Sequence, residues 1–219
     1  MNLPRNSCFM KILLAGFFIL AAISLYYLPV FKPSTAVSPH ILKRNKSVKA
    51  GNASSVQLYA VKLKPYLRQH SYNEQFCFLI DMKIAPGNNR FFVYDFKKEA
   101  IVDKGLVTHG SGSQTPTDTL LFSNVANSNA TSIGRYKIGN EYSGKFGMAF
   151  KLYGLDKTNS NAFNRYVVLH SHSCVPMQEV YPSTICTSLG CPTVAPSFLL
   201  QLKKYIRQSD KPVLLWIYY

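Results

Sequence analysis

The chain has 219 residues, 47% of them hydrophobic and 16% charged, with 14 Phe and 14 Tyr. That is room for a membrane segment and one domain of ordinary size, excludes a disordered chain, and favours strands over a helical bundle. The net charge of +15 is uneven, since residues 1–54 carry seven basic residues and no acid against 18 basic and 10 acidic in the rest. No recognition helix, zinc finger or RNA-binding aromatic motif accompanies it, so no nucleic acid is expected and an anionic membrane surface or a carboxylate-rich polymer fits better.

Arg5 and Lys11 precede a nearly unbroken apolar run from Ile12 to Phe31, interrupted by Ser24 and Pro29. Twenty residues at about 1.5 Å each span the roughly 30 Å of a hydrocarbon core. The run predicts one N-terminal transmembrane helix at 12–31, with residues 1–11 in the cytoplasm and the rest exported. A cleaved signal, with Ser34 and Ala36 at its small-residue site, is the other reading, and it exports the domain equally. Residues 32–54, basic and rich in Ser, Pro and Gly, predict a flexible linker to a single domain at 55–219.

Within that domain, Val56, Leu58, Tyr59, Leu63, Tyr66 and Leu67 predict a helix to about Tyr72. Strands are predicted at Cys77–Met82 and Arg90–Asp95, separated by the turn cluster Pro86-Gly87-Asn88-Asn89. Further strands are expected at Ile101–Thr108, Gly134–Ile138, Ala149–Leu152, Tyr166–Leu169 and Val213–Tyr218. A second helix is expected at Ser197–Arg207, capped by Ser197, with Phe198, Leu199, Leu202 and Tyr205 as its apolar stripe. The class is mostly β with a few peripheral helices.

The chemistry concentrates between Arg165 and Pro196. A strand delivers His170 at its end, and 21 residues later comes Ser188-Leu189-Gly190-Cys191-Pro192. A cysteine nucleophile needs an imidazole to take its proton and backbone N–H groups to hold an oxyanion. Gly190 removes a side chain where a carbonyl must approach and permits unusual backbone angles. His172 is also in range of the thiol, but the strand end favours His170 as base. Cys77, in an apolar strand, reads as a core residue.

Ser-x-Gly-Cys downstream of a strand-end His resembles the L,D-transpeptidase catalytic domain, and most of all the murein L,D-transpeptidase branch in which Pro follows the cysteine. The resemblance extends upstream through His109-Gly110-Ser111-Gly112-Ser113, Phe122-Ser123-Asn124, Ser132-Ile133-Gly134-Arg135-Tyr136 and Tyr142-Ser143-Gly144-Lys145-Phe146-Gly147. It continues through Gly154-Leu155-Asp156, Asn161-Ala162 and Arg165. The chain departs from the branch in having His170-Ser171-His172 where His-Gly-Ala is usual, and Thr187-Ser188 where Arg-Ser is usual.

The resemblance implies a β-sandwich or barrel whose cleft holds the cysteine, and peptidoglycan peptide stems as substrate. Cys191 would attack the carbonyl of the third residue of a tetrapeptide stem, expel D-alanine, and pass the acyl group to an amine, forming a 3–3 cross-link. Water as acceptor would make the same site an L,D-carboxypeptidase. His170 is then the base, and the N–H of Cys191 with that of Gly190 or Leu189 holds the oxyanion, while Ser188 shapes the loop. Substrate contacts are expected from His109, Ser123, Asn124, Tyr142, Arg165, His172 and Leu189. Each has a plainer alternative where the residue type allows one: a structural histidine for His109, turn formers for Ser123 and Asn124, an ion pair for Arg165. No cofactor is implied. The expected location is the cell envelope, anchored in the cytoplasmic membrane with the catalytic domain outside it.

Two further readings concern sulfur. Cys174 and Cys186 lie between His170 and Cys191 and suggest a disulfide pinning the loop over the cleft. Alternatively, His170, His172 and Cys174 would share one face of an extended strand and, with Cys186 and Cys191, offer ligands that zinc or copper prefers. That reading makes the domain a non-catalytic metal-binding or peptidoglycan-binding module.

Overall fold

The computed structural model describes residues 50–117 and 119–219, with backbone alone for 50–54. The expected cytoplasmic N-terminus, transmembrane segment and first part of the linker, residues 1–49, lie outside the described residues. Among the described residues no helix is long and apolar enough to cross a membrane.

Helix α1 (Ala50–Gln69) leads into strands β1 (Phe76–Asp81), β2 (Phe91–Asp95) and β3 (Ala100–Gly105). After a single 3-10 turn at Ser111–Ser113 come β4 (Gly134–Gly144), β5 (Gly147–Gly154), β6 (Val168–Ser171) and β7 (Thr193–Val194). Helix α2 (Pro196–Arg207) and β8 (Leu214–Tyr218) complete the domain. The strands form one eight-stranded sheet in the order β3-β2-β1-β8-β4-β5-β6-β7, antiparallel except for the parallel pairs β1/β8 and β6/β7. An antiparallel bridge between Val107, just past β3, and Val194 in β7 joins the two ends of this order. The sheet is thereby rolled towards a barrel, which answers the expectation of a sandwich or barrel and leaves few open edges.

β1 is buried at every residue because both its faces are covered. Phe76, Phe78 and Ile80 enter one core with Phe91, Tyr136, Phe150 and Leu215 and with α2 residues Phe198, Leu199 and Leu202. Cys77 and Leu79 point the other way, into a second core with Val56, Ala60, Leu63 and Leu67 of α1. The strand period of two and the helical spacing of three and four account for both assignments. Tyr59 of α1 stacks on Tyr218 at 3.6 Å between ring centroids. Cys77 is a buried free thiol whose pKa burial pushes up.

Several boundaries shift for physical reasons. The first helix begins at Ala50, so the last five residues of the expected linker are helical. β4 runs on to Gly144 because Tyr142, Ser143 and Gly144 pair with Ala149, Met148 and Gly147 in a hairpin turned by Lys145 and Phe146. β6 starts at Val168 because Tyr166 adopts φ 56, which breaks extended geometry. Ser197 does not cap α2. Ala195 is the N-cap residue and Pro196 opens the helix, supplying a preset φ at a position whose N–H would have no partner.

Candidate active site

The end of β6, the start of β7, the loop before Cys191, the segment after β3 and the tip of the β4–β5 hairpin surround a cleft of about 530 Å³. Cys191, His170, His172, Arg165, Leu189 and Phe146 all line it.

The loop carrying Cys191 is held by its own backbone and by hydroxyls. Gly190 is buried at φ +113, and a Cβ there would lie 2.9 Å from the Ala130 carbonyl oxygen, so both conformation and space call for glycine. The Cys191 carbonyl oxygen faces three hydroxyls, Ser188 Oγ at 2.7 Å, Thr108 Oγ1 at 3.2 Å and Thr193 Oγ1 at 3.4 Å. Ser188 Oγ also accepts the Gly190 N–H at 3.1 Å. This bears on the oxyanion donors, because the Gly190 N–H is already engaged within the loop. Among the described residues the N–H groups of Leu189 and Cys191 have no hydrogen-bond acceptor, and they are the pair left to meet a developing oxyanion.

His170 is buried, and its ring is oriented from both ends. Nδ1–H donates to the Ser171 carbonyl at 3.2 Å, which leaves Nε2 with its lone pair, 3.0 Å from Thr193 Oγ1. Phe146 stacks on the ring at 5.0 Å and 20°. Burial lowers the His170 pKa, the Ser171 carbonyl partly offsets this, and nearby His172 lowers it further. Burial raises the Cys191 pKa, against the Val168 N–H at 3.5 Å from Sγ and the charge of Arg165. The resting pair is therefore a neutral thiol and a neutral imidazole, and deprotonation must accompany attack. In this resting arrangement Sγ faces the Tyr166 carbonyl at 3.8 Å, and neither His170 nitrogen bonds to it.

His172 is exposed in the turn after β6, and its Nδ1 accepts the Cys174 N–H at 3.1 Å. The sequence pattern of the L,D-transpeptidase catalytic domain matches residues 50–218. The chain belongs to this family. No curated protein sequence matches it. Among solved structures it is similar to an L,D-transpeptidase from Xylanimonas cellulosilytica, at 12% identity and TM-score 0.37, covering 70% of this chain and 68% of that one. It is also similar to Bd1075 of Bdellovibrio bacteriovorus, at 17% identity and TM-score 0.39, covering 65% and 48%. The helical cell shape determining protein Pgp2 of Campylobacter jejuni matches at 13% identity and TM-score 0.40, covering 65% and 46%. The chain spans about half the length of the Bd1075 and Pgp2 structures.

The other predicted contacts of this L,D-transpeptidase domain divide sharply. Leu189 is 75% exposed on the cleft wall. Arg165 also lines the cleft, but it is no ion pair. Its guanidinium donates to the carbonyls of Ser123 and Ala130, each at 2.7 Å, and to Ser128 and Ser132 hydroxyls, pinning the 123–132 loop. Ser123 Oγ accepts the Val125 N–H, and Asn124 binds Lys157, Ser160 and Asn161, so both hold turns outside the cleft lining. Tyr142 lies on β4 beneath Lys151, also outside that lining. His109 is turned away from the cleft into a second cavity, with only its backbone carbonyl reaching the Ser188 N–H at 2.9 Å.

Sequence reasoning missed Thr108, Thr193, Phe146 and Tyr166. Thr108 directly precedes the His109-Gly110 motif and Thr193 follows Cys191-Pro192, so a search for hydroxyls flanking both motifs would have found them. Cys174 and Cys186 form a disulfide, with Cα atoms 6.0 Å apart. This removes two sulfur donors from the alternative metal set, and β6 ends before His172, so residues 170, 172 and 174 share no strand face. Among the described residues no group of three or more His, Cys, Asp or Glu is placed to hold a metal.

Proposed function

We propose that this domain is a peptidoglycan-remodelling cysteine acyl-transferase that acts on tetrapeptide stems and forms 3–3 cross-links. One observation carries the reading: Cys191 and a neutral, oriented His170 line one cleft in which, among the described residues, the Leu189 and Cys191 N–H groups have no acceptor. Sγ attacks the carbonyl carbon of the third stem residue while His170 Nε2, released from Thr193, takes the thiol proton. The oxyanion rests on the two free N–H groups. Collapse expels D-alanine, whose amine receives the proton from His170, and leaves a thioester. An acceptor amine, deprotonated by His170, then attacks the thioester and restores the thiol. Exposed Tyr166 and Leu189, at 85% and 75%, flank the cysteine as apolar lips for the stem. We further propose that residues 12–31 anchor the chain in the cytoplasmic membrane with this domain outside, where a Cys174–Cys186 disulfide persists.

The test is full-length protein incubated with disaccharide tetrapeptide, with Cys191→Ala alongside and products read by mass spectrometry. Loss of D-alanine and a cross-linked dimer with wild type alone is expected. Free tripeptide without dimer would make it an L,D-carboxypeptidase, and turnover by Cys191→Ala would remove Cys191 as nucleophile.

A further inference from the structure

A second cavity, of about 520 Å³, shares no lining residue with the Cys191 cleft. Its walls include Ile84, Pro86, Leu120, Tyr181, Pro182 and Tyr219. Its buried polar lining is Arg90 and His109, at 0% and 3% exposure. Arg90 donates from Nε to the Val107 carbonyl at 2.9 Å, from Nη1 to the Ile84 carbonyl at 3.3 Å and from Nη2 to His109 Nδ1 at 3.0 Å. All three acceptors are uncharged, and two of the five guanidinium N–H groups are left over. The carboxylate that acts on it by charge, Asp81, is bonded to the Ser55 hydroxyl and the Lys83 N–H rather than to Arg90.

His109 adds a second unmet donor. Arg90 can only donate, so Nδ1 is the acceptor and the ring proton sits on Nε2. That nitrogen is buried without an acceptor among the described residues. Burial and the Arg90 charge hold the ring neutral, with its pKa lowered to about 4. Among the described residues Arg90 feels the Asp81 charge but bonds to no carboxylate, and the buried His109 N–H beside it has no acceptor; both are costly in a folded domain, and one bound anion would relieve both. Ile84, Pro86, Leu120, Tyr181 and Tyr219 share the walls with Lys83, Thr115 and Ser183, so an organic body carrying both apolar and polar groups suits the space behind that charge better than an inorganic ion.

We propose that this cavity is a binding site for an organic carboxylate, whose oxygens accept from the Arg90 guanidinium and His109 Nε2 and whose body packs against Tyr181 and Tyr219. Lys83, with Nζ 5.8 Å from the Tyr219 ring centroid, adds positive charge to the cavity wall.

The test follows the histidine ring N–H and C–H resonances of the full-length protein by NMR while N-acetylalanine is added, with N-acetylalaninamide and inorganic phosphate as separate arms. The signals of His109 are assigned by their loss in His109→Gln. A saturable shift of the His109 ring with the carboxylate is expected, with at least about tenfold weaker binding of the amide, because the charge-assisted bonds are gone. Arg90→Gln should weaken the carboxylate by a similar factor. Should that variant fail to fold, Tyr181→Ala on the wall tests the same site and should weaken it measurably. An unmoved His109, equal response to the amide, phosphate binding without carboxylate binding, or unchanged affinity in Tyr181→Ala would each overturn the assignment. A shift confined to His170 would place the carboxylate in the Cys191 cleft and overturn it as well.

Discussion

The two cavities are nearly equal in volume and opposite in chemistry. Around Cys191, the loop carbonyl and the His170 ring are held by hydroxyls and backbone, and among the described residues the Leu189 and Cys191 N–H groups beside the sulfur have no acceptor. Around Arg90 and His109, the groups short of acceptors are side-chain donors of a buried cation and its imidazole partner, and no cysteine lines that cavity. The first arrangement suits charge that develops during a reaction, and the second suits charge that a ligand already carries. The two are built back to back. The His109 side chain faces one cavity while its carbonyl binds the Ser188 backbone of the other. The chain between Cys174 and Cys186 has its disulfide on the cleft and Tyr181–Thr184 on the second cavity.

The sharpest way to break this contrast is to remove each imidazole. His170→Ala should lower turnover of the tetrapeptide by about 10²–10⁴-fold, the usual worth of a positioned base. His172→Ala, whose Nδ1 is engaged by the Cys174 N–H, should cost less than about tenfold under the same assay. Comparable losses would move the base to His172.

Opening the shared wall comes next. Reducing the Cys174–Cys186 disulfide, which closes a loop of sequence separation 12, should lower unfolding free energy by about 3 kcal/mol on chain-entropy grounds. Denaturant titration of the double Cys→Ser variant measures it, and both cavities should loosen together. Strain in the catalytic loop is smaller. Gly190→Ala should cost about 1–3 kcal/mol and reduce turnover, because φ +113 and the Ala130 carbonyl both oppose a Cβ. Gly147→Ala, at φ +78 with nothing within 4 Å, carries strain alone and should leave turnover intact.

The remaining handle is pH. The pKa of His109 is lowered to about 4 in the folded chain, below the ordinary 6.5, so the unfolded chain binds more protons between those values. Its contribution to stability is therefore complete above pH 6.5 and is lost as pH falls towards 4. Thermal melts of wild type and His109→Gln across that window should converge at the acid end. Turnover has its own acid limb, below pH 6.5, because the His170 pKa is also lowered.

Much of this was legible in residue order. The apolar run at Cys77–Met82, the stripe of α2, the strand leading to His170 and the Ser188–Cys191 loop all follow from local pattern and residue type, because such patterns report what a short segment must bury or expose. The pairing of Cys174 with Cys186 was open to the same reasoning at short separation. What the rolled sheet alone decided is which groups meet across long separations. Thr108 reaches the Cys191 carbonyl 83 residues away, and Arg165 holds the Ala130 carbonyl 35 residues away. Joining the sheet ends through Val107 and Val194 turned His109 from an expected substrate ligand into the partner of Arg90. Local pattern carries no information on that closure, because it depends on strand order and register summed over the whole sheet.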